Sequence, residues 1–435
     1  MLRMIPLALA GLLAAASAEA AEPVPARLVG HALLPAGTLL DPPPEAPPFV
    51  REAGRFLGPN GTRPVEPLVR NGVALPLAGQ PLQGLSSLVA LGDGRFLALA
   101  DNGFGSKTNS PDALLAVHVL AVDWSAGVIR HEDSIHLADP LGRFPHRLVL
   151  EAGATRFLTG SDFDPESLEV VGDHWWIGDE FGPFLLGFDT EGRLRDVVEA
   201  HVAGEPVRSP DHPALTLPAR PQAVAFEVRR SRGFEGLALH PDGRLIAALE
   251  GPLMADDGAI PFARLLAFDP AAGAFTGEEW RYPLAEPDHV LGALHVLDER
   301  RALVIERDWG AGDAELACVG EARTGCHPRP AAFKRVYRID LGEIDRQGFV
   351  EKEAFVDLLD IADPDGVART GTTDGTFTFP FVTIESVAID EAGYLVLVND
   401  DNFPSSTGRV PGVPEGIEMI RLDAPALVTV SVDRG

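Results

Sequence analysis

Five times along this chain, two short apolar strands are joined by a tight turn, and no helical pattern separates one pair from the next. The pairs are SSLVALGDGRFLALADNG (Ser86 to Gly103), ESLEVVGDHWWIGDEFG (Glu166 to Gly182), FEGLALHPDGRLIAALEG (Phe234 to Gly251), LGALHVLDERRALVIERD (Leu291 to Asp308) and ESVAIDEAGYLVLVNDDN (Glu385 to Asn402). Gly-Asp, Pro-Asp-Gly and Glu-Ala-Gly at the turns suit hairpins, because Gly and Asp accept the backbone conformations that tight turns demand. A third strand follows most pairs, as in LLAVHVLAVD (114–123), FLLGFD (184–189), FARLLAFD (262–269), FKRVYRID (333–340) and IEMIRLD (417–423).

Repeated antiparallel units of three or four strands, with 45 glycines and 38 prolines spread through the chain, predict an all-β fold, a β-propeller. A β-sandwich is the competing architecture. Five hairpins are plain. A sixth sheet is expected from N-terminal strands such as ARLVGHALL and VRNGVALPL together with C-terminal ALVTVSVD, which makes the ring six-bladed and closes it with both termini. The expected organisation is a secretory signal over residues 1–20 and one propeller domain over 21–435, with long inter-strand loops at 208–222 and 309–330. Arg3, the apolar run Ile5 to Ala16 and Ala18-Glu19-Ala20 fit the signal. The run is short for a bilayer span, so the mature protein is expected to be periplasmic or secreted, with no integral membrane association. Cys318 and Cys326, eight residues apart in a polar loop, are expected to pair in an oxidising compartment.

The formal net charge is -28. Such a surface repels nucleic acid and anionic lipid, so no nucleic-acid partner is expected. Most of the acids serve solubility, but some recur in register. Glu166, Glu235 and Glu385 precede the first strand of their hairpins. Asp179 and Glu180, Glu250, and Asp400 and Asp401 follow the second. The fourth hairpin carries Glu306 and Asp308 late and Gly292 early; the first carries Ser86 early and Asp101 late. A hairpin returns the chain to its start, so these acids share one sheet edge, and a propeller gathers equivalent edges at one end of its channel. Carboxylates crowded there repel, and burial adds to the cost; a bound cation resolves both. An all-oxygen set favours calcium, with magnesium or manganese next. The expected ligands are Glu166, Glu235 and Glu385, then Asp101, Glu180, Glu250 and Asp400, with neutral oxygens from Asn102, Asn399 and Asn402. The competing reading is that these acids cap turns at blade junctions.

The same stretches resemble the phytase-like family, described by the esterase-like activity of phytase. The resemblance is carried by LQGLSSLVALGDGRFLALADNGFG, SDFDPESLEVV, WWIGDEFGPFLLGFDTEGRL, GFEGLALHPDGRLIAALEG and TIESVAIDEAGYLVLVNDDNF, and spans about residue 80 to residue 423. It implies an exported hydrolase acting on esters or phosphoesters, and a use of metal like that of the related calcium-dependent propeller phytases. No nucleophile carries over. Gly-x-Ser-x-Gly, His-Glu-x-x-His and Arg-His-Gly-x-Arg are all missing from the sequence, so an α/β-hydrolase elbow, a zincin site and phosphohistidine chemistry lack their landmarks.

The expected chemistry is hydrolysis of a small-molecule ester or phosphoester in the central channel, by a water made acidic by the cation. Asp179 or Glu180 would take its proton, and Lys107 and Arg307 would neutralise an anionic substrate. Salt bridges to surplus acids are the competing role for both bases. His174, in its turn, is expected to be structural or exposed; His289 and His295 are weaker candidates for proton carriers, His295 equally a satisfied core histidine; and Ser167 and Ser386 would orient carboxylates. The alternatives are a non-catalytic calcium-stabilised binding propeller of the cell envelope and a lactonase-like enzyme.

Overall fold

A computed structural model describes residues 21–64, 66, 68–215, 226–256, 258–320 and 325–429. The signal read at residues 1–20 lies outside them. Each hairpin of the sequence forms the inner half of a four-stranded antiparallel sheet. The first blade is Leu85–Gly92, Arg95–Ala100, Ala116–Asp123 and Val128–His136. The second is Pro165–Val171, His174–Asp179, Phe184–Asp189 and Leu194–Glu199. The third is Phe234–Leu239, Leu245–Leu249, Phe262–Asp269 and Ala274–Pro283. The fourth is Val290–Val296, Arg301–Arg307, Lys334–Ile344 and Val350–Asp357. The fifth is Ile384–Ile389, Leu395–Asn399 and Ile417–Asp423, completed by the N-terminal strand Arg27–Leu34, which runs antiparallel to Ile417–Asp423 from Arg27↔Asp423 to Leu34↔Ile417.

The protein is thus a β-propeller, as its repeats predict, and its termini close the ring. The blade count is corrected: among the described residues the ring has five blades, not six. The strand expected to found a separate sheet instead fills the outermost place of the last one. Its buried Leu28, Ala32 and Leu34 belong to cores shared with neighbouring blades. The stretch 69–77 makes only a small side hairpin, Leu68–Arg70 with Val73–Leu75, which exposes Val69. The C-terminal segment starts as a short helix, Pro425–Val428, and its residues from 430 lie outside the described ones.

Alternation along each strand sends side chains to both faces of a blade, so each blade contributes to two cores. Trp175 packs with Leu99, Val117 and Phe163 between the first and second blades. Its neighbour Trp176 points the other way, to Phe234, Leu245 and Phe268 between the second and third. Equivalent cores fill the remaining junctions. Burying each large apolar side chain favours the ring by about 1.5–3 kcal/mol. The turns use glycine where the backbone requires it: Gly243 and Gly393 have φ of 92° and 82°, cheap for glycine and strained for other residues. Cys318 and Cys326 form a disulfide. Among the described residues no helix is long and apolar enough to cross a membrane.

Candidate metal centre

The first strand of every blade carries a β-bulge at the same place. Register slips by one residue at Ser86, Glu166, Glu235, Gly292 and Glu385. A bulge leaves one residue out of the ladder and re-aims its side chain. The bulge partners are Ala100, Asp179, Leu249, Glu306 and Asn399. The residues one step on are Asp101, Glu180, Glu250, Arg307 and Asp400. Two tiers of side chains therefore face the end of the channel. One reads Ser, Glu, Glu, Gly, Glu around the ring and the other Asp, Glu, Glu, Arg, Asp.

The structure brings Glu166, Glu235 and Glu385 together: one carboxylate oxygen from each lies within 4.8 Å of the others. Asp164, Glu166 and Glu180 form a second such group, and Glu180, Glu235 and Glu250 a third. All are buried. Arg307 Nη2 donates to Glu385 Oε1 at 2.9 Å and to Glu250 Oε1 at 3.1 Å. Arg232 Nη1 donates to the other oxygen of Glu250 at 2.6 Å. Ser86 Oγ donates to Glu385 Oε2 at 3.3 Å. Among the described residues, Glu166 Oε2, Glu235 Oε1 and Ser167 Oγ are buried without a hydrogen-bond partner.

Such crowding opposes ionisation. Burial first, and neighbouring acids second, hold Asp101, Glu166, Glu180 and Glu235 well above the usual carboxylate range. Burial and then Asp400 push Glu385 up to about 8. Burial and then Asp401 push Asp400 up to about 7. Below the acids the channel continues as a cavity of about 190 Å³ past Ser86, Ser167, Ser386 and His295.

Other residues singled out in the sequence stand elsewhere. Asp179 is a turn brace, its two oxygens accepting the backbone N–H of Asp164 at 2.8 Å and of Gly182 at 2.7 Å. Lys107 Nζ donates to the Asp211 carbonyl at 3.0 Å and lies 5.6 Å over the Phe181 ring, on loops beside the acids and outside their cluster. Glu306 turns away into a closed network with Tyr282, His289 and Lys352. Asp308 pairs with Lys334 at 2.9 Å. Asn102 Oδ1 accepts the N–H of Gly105 at 2.7 Å, Asn399 Oδ1 that of Glu418 at 2.6 Å, and Asn402 donates its N–H to Asp400 Oδ1 at 2.7 Å. Through these bonds the three asparagines brace loops beside the cluster. His174, expected in a turn, opens the strand His174–Asp179, half-exposed beside Asp173.

Asp164 and Arg232 belong to the site and were not anticipated. Asp164 had a signal, since it stands two residues before Glu166 in DFDPE. Arg232 had none; it lies before the third hairpin, in a loop whose path the sequence does not reveal.

A family model described as Phytase-like, esterase-like activity of phytase, matches residues 80–403. No curated protein matches the chain. Among solved structures it is similar to a glutaminyl cyclase of Myxococcus xanthus, at 11% identity over 92% of this chain and 99% of that one, with a TM-score of 0.37. It is also similar to the WD40 β-propeller domain of Doa1, at 12% identity over 79% and 93%, TM-score 0.32. A third is U3-55K, at 10% identity over 78% and 96%, TM-score 0.35.

Proposed function

The chain belongs to the Phytase-like family, described by the esterase-like activity of phytase, and from that premise we propose that it is an exported hydrolase of small-molecule esters, phosphoesters first, whose channel carboxylates hold a divalent cation. The observation that carries the proposal is the pair of buried, unpartnered oxygens on Glu166 and Glu235, in a cluster drawn from separate blades. A buried carboxylate oxygen normally has a donor, and these two lack one. An all-oxygen set of this kind fits calcium, then magnesium or manganese. Glu166 and Glu235 would hold the ion, with Asp164, Glu180 and Glu385 in reach. Asp101, Glu250 and Asp400, from the wider set of expected ligands, would surround it.

When bound, such an ion supplies Lewis acidity toward a substrate oxygen and makes a water more acidic. The protein's own groups do the rest. Glu180, with no backbone amide to hold, is the acceptor for the water's proton; Asp179 keeps the Glu180 turn in place. Arg307 presents buried, unpartnered Nε and Nη1, two donors on different edges of the guanidinium, each able to meet one substrate oxygen. Lys107, on the loops beside the acids, draws an anionic substrate in against the protein's negative field.

The test is turnover of chromogenic phosphate mono- and diesters and carboxylic esters by chelator-stripped mature protein, with calcium, magnesium or manganese restored in turn. The proposal expects hydrolysis that returns with the metal. Metal-dependent stabilisation with no turnover of any ester would replace it with the binding-module reading.

A further inference from the structure

The ring of acids breaks its own pattern at the fourth blade. There the bulge carries Gly292, and a Cβ at that position would meet the backbone carbonyl oxygen of Ile384 at 2.3 Å. No side chain can stand there unless the backbone moves, so the fourth blade cannot supply a carboxylate from its bulge. It supplies a cation instead. Arg307 is 2% exposed and carries a charge that does not titrate away. Its Nη2 is shared by Glu385 at 2.9 Å and Glu250 at 3.1 Å, with Glu235 at 3.9 Å. The ring of Trp309 lies 4.9 Å from its guanidinium and 4.6 Å from that of Arg232, so one aromatic backs both bases on this side. Among the described residues the opposite side, where Asp164, Glu166 and Glu180 meet, has no such base within hydrogen-bond reach; Glu166 Oε2 is orphaned there with no cation near it, whereas the orphaned Glu235 Oε1 lies 3.9 Å from Arg307.

We infer that Arg307 is a resident cation that fills the side of the ring between the fourth and fifth blades and limits the ring to one divalent ion, set off the channel axis toward Asp164, Glu166 and Glu180. The inference rests on the metal-centre reading above. A second divalent ion beside Glu250 and Glu385 would face the guanidinium at contact distance, in a buried site where like charges are poorly screened. The single ion lies across the ring from Arg307, so an anionic substrate group fits between two fixed positive charges of different kind.

Calcium titrations of chelator-stripped mature protein, wild type, Arg307→Met and Arg307→Lys, followed by calorimetry, test this. Expected are one ion for wild type, one for Arg307→Lys, and for Arg307→Met either a second ion or an affinity at least about tenfold higher. Two ions in wild type, or an Arg307→Met titration indistinguishable from wild type, overturns the inference and leaves the metal centre standing. Binding by Arg307→Met alone, or by no variant, overturns the inference together with the native metal centre. Should Arg307→Met fail to fold, manganese anomalous diffraction from wild-type crystals decides: one peak against Glu166 supports the inference, and a peak between Glu250 and Glu385 overturns it.

Discussion

Glu385→Gln probes the electrostatics of the ring without assuming any activity. Burial and Asp400 raise the Glu385 carboxyl from an ordinary 4.5 to about 8. Below pH 4.5 the group is protonated in folded and unfolded chains alike and favours neither. Between pH 4.5 and about 8 the unfolded chain loses this proton and the folded chain keeps it, so folding is increasingly disfavoured. At about 1.36 kcal/mol per pH unit the loss reaches roughly 5 kcal/mol by pH 8. Glutamine has no proton to lose and keeps an oxygen for Arg307 Nη2, although its buried amide N–H2 needs an acceptor and costs about 1–2 kcal/mol where it finds none. Without metal, the variant is therefore expected to be no more stable than wild type at pH 4.5 and about 3 kcal/mol more stable at pH 8. For a chain of this size that is about 3–4 °C in Tm. Scanning calorimetry in chelator from pH 4.5 to 8 reads the gap directly. Saturating calcium should narrow it, because a nearby divalent charge favours the ionised Glu385 that only wild type can supply. A gap that does not change with pH, or a variant less stable than wild type at pH 8 without metal, would refute the reasoning.

Further outcomes follow from the same geometry. Glu166→Gln and Glu235→Gln should each weaken calcium binding by at least about tenfold in calorimetric titration; wild-type affinity in both would remove them from the ligand set. Asp179→Asn should cost about 1–3 kcal/mol in denaturant melts by disturbing a buried brace of two backbone amides. Gly292→Ala should destabilise by about 1–3 kcal/mol or more through the clash with the Ile384 carbonyl, again by denaturant melt; a neutral result would show that the backbone there yields. Replacing Cys318 and Cys326 by serine should cost at most ~2.5 kcal/mol, the loop-closure value for so short a loop, and leave calcium binding intact.

Much of this architecture was legible because a blade is a local object. Each hairpin is contiguous in sequence, so its turn, its alternation and the acids at its two ends can be read together, and Glu166, Glu235 and Glu385 do meet. The blade count was not legible, because the outermost strand of the last sheet pairs Arg27 with Asp423, and nothing local to either strand announces the other. The fourth blade misled for a subtler reason. Counting from its turn singles out Glu306 and Asp308, but the bulge at Gly292 sets Glu306 opposite Leu291 and leaves Arg307 as the residue that enters the ring. Alternation then sends Glu306 and Asp308 away from Arg307, to their own lysines. Asp179 and Glu180 likewise look interchangeable in sequence; strand register gives the first to backbone amides and the second to the channel.

Proton release on calcium binding interrogates the centre most directly. Calcium is titrated into chelator-stripped protein near pH 7 in two buffers of different ionisation enthalpy. Carboxyl groups that keep their protons only because they are buried together should give them up to the ion, so the observed heat should differ between buffers by at least one proton's worth per calcium bound. Binding with no proton exchange, or no binding at all, would contradict the picture of acids from separate blades gathered to share one cation.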